Sequence, residues 1–152
     1  MPTIIAIVIA VIAVAVAIGA WFRPAPKPET PAAKTYSEQE VADAKKAVCD
    51  AYDLVHQSIV VTNNKSGGSD PTAILAVAAN ARLSAHAGGQ YLNDVLGQYP
   101  ATSKDLAQGI RDLATNLEKL TLEYLAETPN ADQDPLLRNA DDATAKIKQT
   151  CT

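Results

Sequence analysis

Apolar positions along the chain fall into one uninterrupted run followed by four periodic stretches. Residues 4–22, "IIAIVIAVIAVAVAIGAWF", hold no charge. As a helix this run would rise ~28 Å, close to the ~30 Å hydrocarbon core of a bilayer. Trp21 and Phe22 stand where an interfacial aromatic would, with Arg23 directly after. The expectation is a transmembrane anchor over residues 1–22. A cleaved signal peptide is the competing reading, with Ala15-Val16-Ala17 as a small-residue cleavage site. It lacks a basic leading segment, and the run exceeds a usual signal core of about 7–15 residues. Inside the run, Ala6, Ala10, Ala13, Ala17 and Ala20 lie on one helical face. Such a stripe of small side chains lets membrane helices pack closely.

The next stretch, "RPAPKPETPAAKTY" (residues 23–36), has no apolar periodicity and four prolines. It reads as an extended Pro-rich linker. Beyond it the spacing turns helical. "SEQE" (Ser37 to Glu40) has the form of a capping box. Val41, Lys45, Val48, Tyr52, Val55, Ile59 and Thr62 then follow at 4-3 spacing, with Lys45 the polar exception. "NNKSGGS" breaks that helix, and Asp70-Pro71 starts a second one. Its seam is Ile74, Ala78, Ala81, Ala85, Gly88, Leu92, Val95 and Tyr99, small in the middle, where Gly88-Gly89 would kink the helix or admit a close neighbour. A third helix starts near Thr102, with Asp105 at capping-box spacing, and carries Leu106, Ile110, Leu113, Leu117, Leu120 and Tyr124. "TPNADQDP" reads as the next break, so a fourth helix is expected from Asp134-Pro135, with Leu137, Ala140, Thr144, Ile147 and Cys151 on its stripe. The predicted fold is all-α: a transmembrane helix, a Pro-rich stalk, and an antiparallel four-helix bundle over residues 37–152.

Two cysteines change this picture. With helices running up, down, up, down, Cys49 on the first and Cys151 on the last reach nearly the same height. The spacing predicts a disulfide that ties the two helices together. Closing so long a loop is worth up to ~4.7 kcal/mol on the loop-entropy model. Such a bond needs an oxidising compartment. Arg23, Lys27 and Lys34 after the anchor point the other way under the positive-inside rule. They are few, dispersed and partly offset by Glu29, so the disulfide carries more weight. The expected location is the plasma membrane, single-pass, with the C-terminal domain outside the cytoplasm.

Composition narrows the function more than it names one. The chain is 47% hydrophobic, only 5% aromatic, and carries a formal net charge of −4 without a dense basic block. Nucleic acid is excluded as an expected partner, because phosphate binding needs a basic footprint. His56 and His86 are the only histidines and lie on different helices, with no ligand spacing around either. Gly67-Gly68 lacks the strand and lysine of a phosphate loop. Asn64-Lys65-Ser66 matches a glycosylation sequon, a short and unspecific pattern. No nucleophile has a His–Asp arrangement at suggestive spacing, so no enzyme, metal or cofactor is expected. Arg82, His86 and Gln90, at four-residue steps beside the small-residue seam, are a candidate polar contact surface.

The stretches "CDAY", "DPTAILAVAANARLSAHAGGQYL", "PATSKDLAQGI" and "EYLA", with the paired cysteines and the order of anchor and Pro-rich segment, carry a resemblance. The chain is similar over roughly Val41 to Cys151 to the alanine- and proline-rich single-pass membrane proteins of mycobacteria and relatives. Many members have a longer Pro-rich region before the anchor, which is missing here. The resemblance implies an actinobacterial cell-envelope protein, and the group brings no established activity and no functional residue with it. The leading expectation is a non-catalytic extracytoplasmic interaction domain, an accessory subunit of a larger envelope or respiratory membrane complex. It would contact the bilayer through residues 4–22, and self-association through the alanine stripe is a further route to assembly. The alternative is a carrier or sensor of an apolar ligand such as an envelope lipid. That role needs a cavity, and the Ala/Gly-rich seam argues against a large one.

Overall fold

The computed structural model describes residues 34–152. The expected anchor, its alanine stripe (Ala6, Ala10, Ala13, Ala17, Ala20) and the linker up to residue 33 lie outside the described residues. Within them are four α-helices: α1 (Glu38–Asn63), α2 (Pro71–Gln98), α3 (Lys104–Leu125) and α4 (Asn130–Cys151). None of these is long and apolar enough to cross a membrane.

Local chemistry explains most of the boundaries. Ser37 and Glu40 form the capping box: the Glu40 amide donates to Ser37 Oγ at 3.3 Å and the Ser37 amide to Glu40 Oε2 at 2.7 Å. Asp70 accepts from the Thr72 amide at 2.9 Å, with Pro71 in the first turn of α2. Two starts differ from the sequence reading. The cap of α3 is Ser103, which accepts from the Leu106 amide, while the Thr102 hydroxyl turns back to donate to the Tyr99 carbonyl at 2.7 Å. In α4 the helix begins at Asn130, ahead of Pro135, which is inside it. Buried Gln133 donates from Nε2 to the Thr128 carbonyl at 2.8 Å, tying the first turns of α4 to the chain ahead of it.

Cross-helix contacts fix direction. Gly88 faces Val55, and Ser84 pairs with Ser58, so α1 and α2 run antiparallel. Gln90 reaches Glu118 while Arg82 lies over Tyr124, so α2 and α3 do the same. A Cβ on Gly88 would meet Val55 Cγ1 at 2.6 Å, and α2 passes unbroken through the glycine pair. The pair therefore serves close approach to α1, with no break in the helix.

Cys49 and Cys151 are joined by a disulfide, with their Cα atoms 5.7 Å apart. Consecutive helices pack along their lengths, whereas α1 and α4 meet sparsely apart from this bond. Around it lies the dense core: Val48, Tyr52, Leu92, Leu106, Ile110 and Ile147 are the largest fully buried side chains. The buried residues of α2 are Gly88, Gly89, Leu92, Val95 and Leu96, all in its C-terminal part. Towards the opposite end Val60, Val61, Ile74, Leu75, Leu122, Leu125 and Leu137 are exposed, Leu75 at 65%. The bundle thus has a closed end, at the disulfide, and an open end.

Candidate binding cleft

At the open end the four helices enclose a cleft of about 490 Å³. Each wall follows from helical periodicity. From α1 come Tyr52, Val55, His56, Ile59 and Asn63; from α3 come Leu113, Leu117, Leu120 and Tyr124. The α2 wall is Ala78, Ala81, Arg82 and Ala85, and α4 adds Ala140, Asp141 and Thr144. The seam that was expected to close the bundle therefore does the reverse here. Where Gly88 meets Val55, small residues bring helices together. Further up, alanines stand across from the α3 leucines, and rigid helices spaced by those leucines leave the alanine side unfilled. The cavity that the sequence reading disfavoured is present.

Its polar groups sit at two levels. Tyr52, three residues after Cys49, marks the inner end. Its side chain is 1% exposed, and its hydroxyl is buried without a hydrogen-bond partner. Burial pushes this phenol above its ordinary range, the Asp53 charge adds to that, and the neighbouring Thr144 hydroxyl works against both. The group therefore stays protonated, a neutral donor. The His56 ring tilts against Tyr52 with centroids 5.6 Å apart. Towards the mouth are Asn63, Asp141 and Arg82, whose guanidinium lies 5.8 Å from the centroid of the Tyr124 ring. No carboxylate among the described residues forms an ion pair with Arg82.

The predicted polar row on α2 lies mainly on another face. Arg82, His86 and Gln90 line a shallower groove of about 370 Å³ outside the α2–α3 pair, together with Leu83, Leu122 and Leu125. Gln90 is used internally, donating to Glu118 Oε1 at 2.9 Å, and Asn93 Nδ2 donates to the same oxygen at 3.3 Å. His86 is exposed. The row is therefore brought to one groove, but as the rim of a leucine patch that the sequence reading missed. The signal was there: Leu83, Leu122 and Leu125 lie off their helices' buried stripes. The two histidines stay in separate grooves, and no cluster of metal-ligating side chains occurs among the described residues.

The site is thus an apolar cleft with His56 beside Tyr52 at its inner end and charges of both signs at its mouth. The chain matches no protein-family model, no curated protein and no solved structure.

Proposed function

We propose that this protein is a non-catalytic carrier or sensor of an apolar ligand, tethered to the plasma membrane by residues 4–22 and facing away from the cytoplasm. The single observation that carries this reading is the apolar cleft of about 490 Å³ at the open end of the bundle. Small-molecule sites span about 300–1,000 Å³ and pair an apolar lining with a few polar groups. A thin lipid-like molecule suits a cleft of this volume. Lining side chains such as Leu113, Leu117 and Leu120 recover burial when it is filled.

The accessory-subunit role is the second reading, favoured by a different observation: exposed Leu83, Leu122 and Leu125 beside Arg82 and His86 on the outer α2–α3 groove. One experiment separates the two. The tagged full-length protein is purified from its native membranes in mild detergent and read by lipid and protein mass spectrometry, beside an Ala81→Phe variant that fills the cleft. A carrier retains a defined lipid that the variant loses. An accessory subunit recovers a stoichiometric membrane complex whatever the state of the cleft, and that result with no retained lipid overturns the carrier reading.

A further inference from the structure

The four helices form a ring with three firm seams and one loose one. α1 with α2, α2 with α3, and α3 with α4 pack along their lengths, whereas α1 and α4 meet sparsely. Burial shows where the loose seam begins. The buried residues of α1 end at Val55, although the helix runs on to Asn63. In α4 the buried apolar side chains are Ala143 and Ile147, both in its second half. Gln133, also buried, bonds back to Thr128 in the turn before its own helix. Beyond Val55 and Ala143, towards the open end, Ile59 and Ala140 are only partly covered. Polar ties follow the same division. Ser58 bonds Ser84, which fixes this half of α1 to α2, and Gln90 and Asn93 both bond Glu118, which fixes α2 to α3. Across the loose seam, His56 on α1 and Asp141 on α4 both line the cleft, and no ion pair joins them.

Resting on the reading of the cleft as a ligand site, we infer that the α1–α4 seam is its port. An elongated apolar guest passes sideways between the two helices, and the first half of α4 swings outward about its tied end at Cys151. Opening a seam costs the burial it gives up, and this seam has the least to lose. The moving side is α4, because Ser84 holds α1. Its second half stays docked, with Ile147 packed against Gly109 and the Cys49–Cys151 bond keeping the two Cα atoms 5.7 Å apart. A rod fixed at one end parts from its neighbour more widely with distance from the tie. The gap is therefore greatest beside the cleft, and a long molecule enters broadside without threading end-on. Val60 on α1 and Leu137 on α4, exposed at 42% and 43%, form the two lips of the port.

The test bridges the lips. Both native cysteines are held in the disulfide, so Val60→Cys with Leu137→Cys places the two reactive thiols in the full-length protein. The protein is purified in amphipol and the pair joined by a short bismaleimide or by a long flexible one. A diazirine-bearing long-chain alkane is then delivered from cyclodextrin, and labelled cleft peptides are quantified against loading time. Leu83→Cys with Leu122→Cys, bridged across the outer α2–α3 groove, is the control. The short bridge at the lips is expected to slow loading about ten-fold or more, as a locked gate does. Added after loading, it should hold the probe against excess cyclodextrin. The long bridge and the α2–α3 bridge should load as the wild type does. Loading at the wild-type rate through a short-bridged seam, or equal slowing by the α2–α3 bridge, overturns the inference and leaves the cleft a ligand site. If the wild type shows no labelling of cleft peptides, the ligand reading falls and the inference with it.

Discussion

The two ends of this bundle are made from the same four helices and solve opposite problems. At the closed end large side chains interlock, glycines admit close approach, and a covalent bond joins α1 and α4, which otherwise meet sparsely. At the open end α2 sets alanines across from the leucines of α3, and large apolar side chains such as Leu75 and Leu122 stand outward. Stability is concentrated where nothing needs to enter. The open end is spared the packing that would fill its cleft. A core may therefore be read by where it stops, because the boundary at Gly88 separates a scaffold from a site.

That contrast can be broken by substitution, most forcefully at the disulfide. Replacing both cysteines (Cys49→Ser with Cys151→Ser) is expected to cost about 3–5 kcal/mol in chemical denaturation, given their sequence separation of 102. A loss below about 1 kcal/mol would show that the closed end is held by packing alone. Next comes the core beside it. Ile110 is 0% exposed, so Ile110→Ala should cost about 3 kcal/mol, whereas Leu75→Ala at the open end should stay within about 0.5 kcal/mol. Similar values for the two would erase the distinction between the ends.

Gly88→Ala probes the boundary itself. The added methyl meets Val55 Cγ1, and overpacking of this kind costs about 1–3 kcal/mol, against about 1 kcal/mol gained in helix propensity. A net loss of about 1 kcal/mol, relieved when Val55→Ala is added, is the expected pattern. Tyr52→Phe should have the opposite sign and raise the stability of the unliganded protein by about 1 kcal/mol, since it removes a buried hydroxyl without a partner. Its pH signature follows from the direction of the shift. The folded phenol titrates above the unfolded one, so its contribution is complete below about pH 10 and is lost as pH rises through the folded value. Alkaline denaturation should therefore begin later in the variant than in the wild type. Smallest is Glu127→Gly in the turn between α3 and α4. Glu127 has φ 56°, with the Thr128 amide donating to the Glu123 carbonyl as in a Schellman turn. Glycine there should add about 0.5–1 kcal/mol, measured as a shift in denaturation midpoint.

How much of this was legible in advance depended on how local each cause is. The caps at Ser37 and Asp70 are contacts within three residues, and they were readable. Near Tyr99 two adjacent hydroxyls compete, and spacing favoured Thr102 where the structure uses Ser103. The early start of α4 has no side-chain cap at Pro129, and the Asp134-Pro135 pair that resembles a start lies inside the helix. Heptad-like spacing placed both cysteines at one height, because two rods of known rise leave little freedom. The cleft was not readable for the converse reason. Ala78, Ala81 and Ala85 look the same in sequence whether a neighbour closes on them or is held away by leucines on a third helix.

The disulfide has a consequence beyond its energy. It joins the first described helix to the last, so segments 64–70, 99–103 and 126–129 all lie within one covalent ring. A protease that cuts any one of them, including the glycine-bearing turn at 64–70, opens the ring without releasing a fragment. Every helix remains attached to its neighbours through an unbroken path of bonds. On a reducing gel such a nicked molecule would run as two pieces and on a non-reducing gel as one, a domain that damage can mark without dismantling.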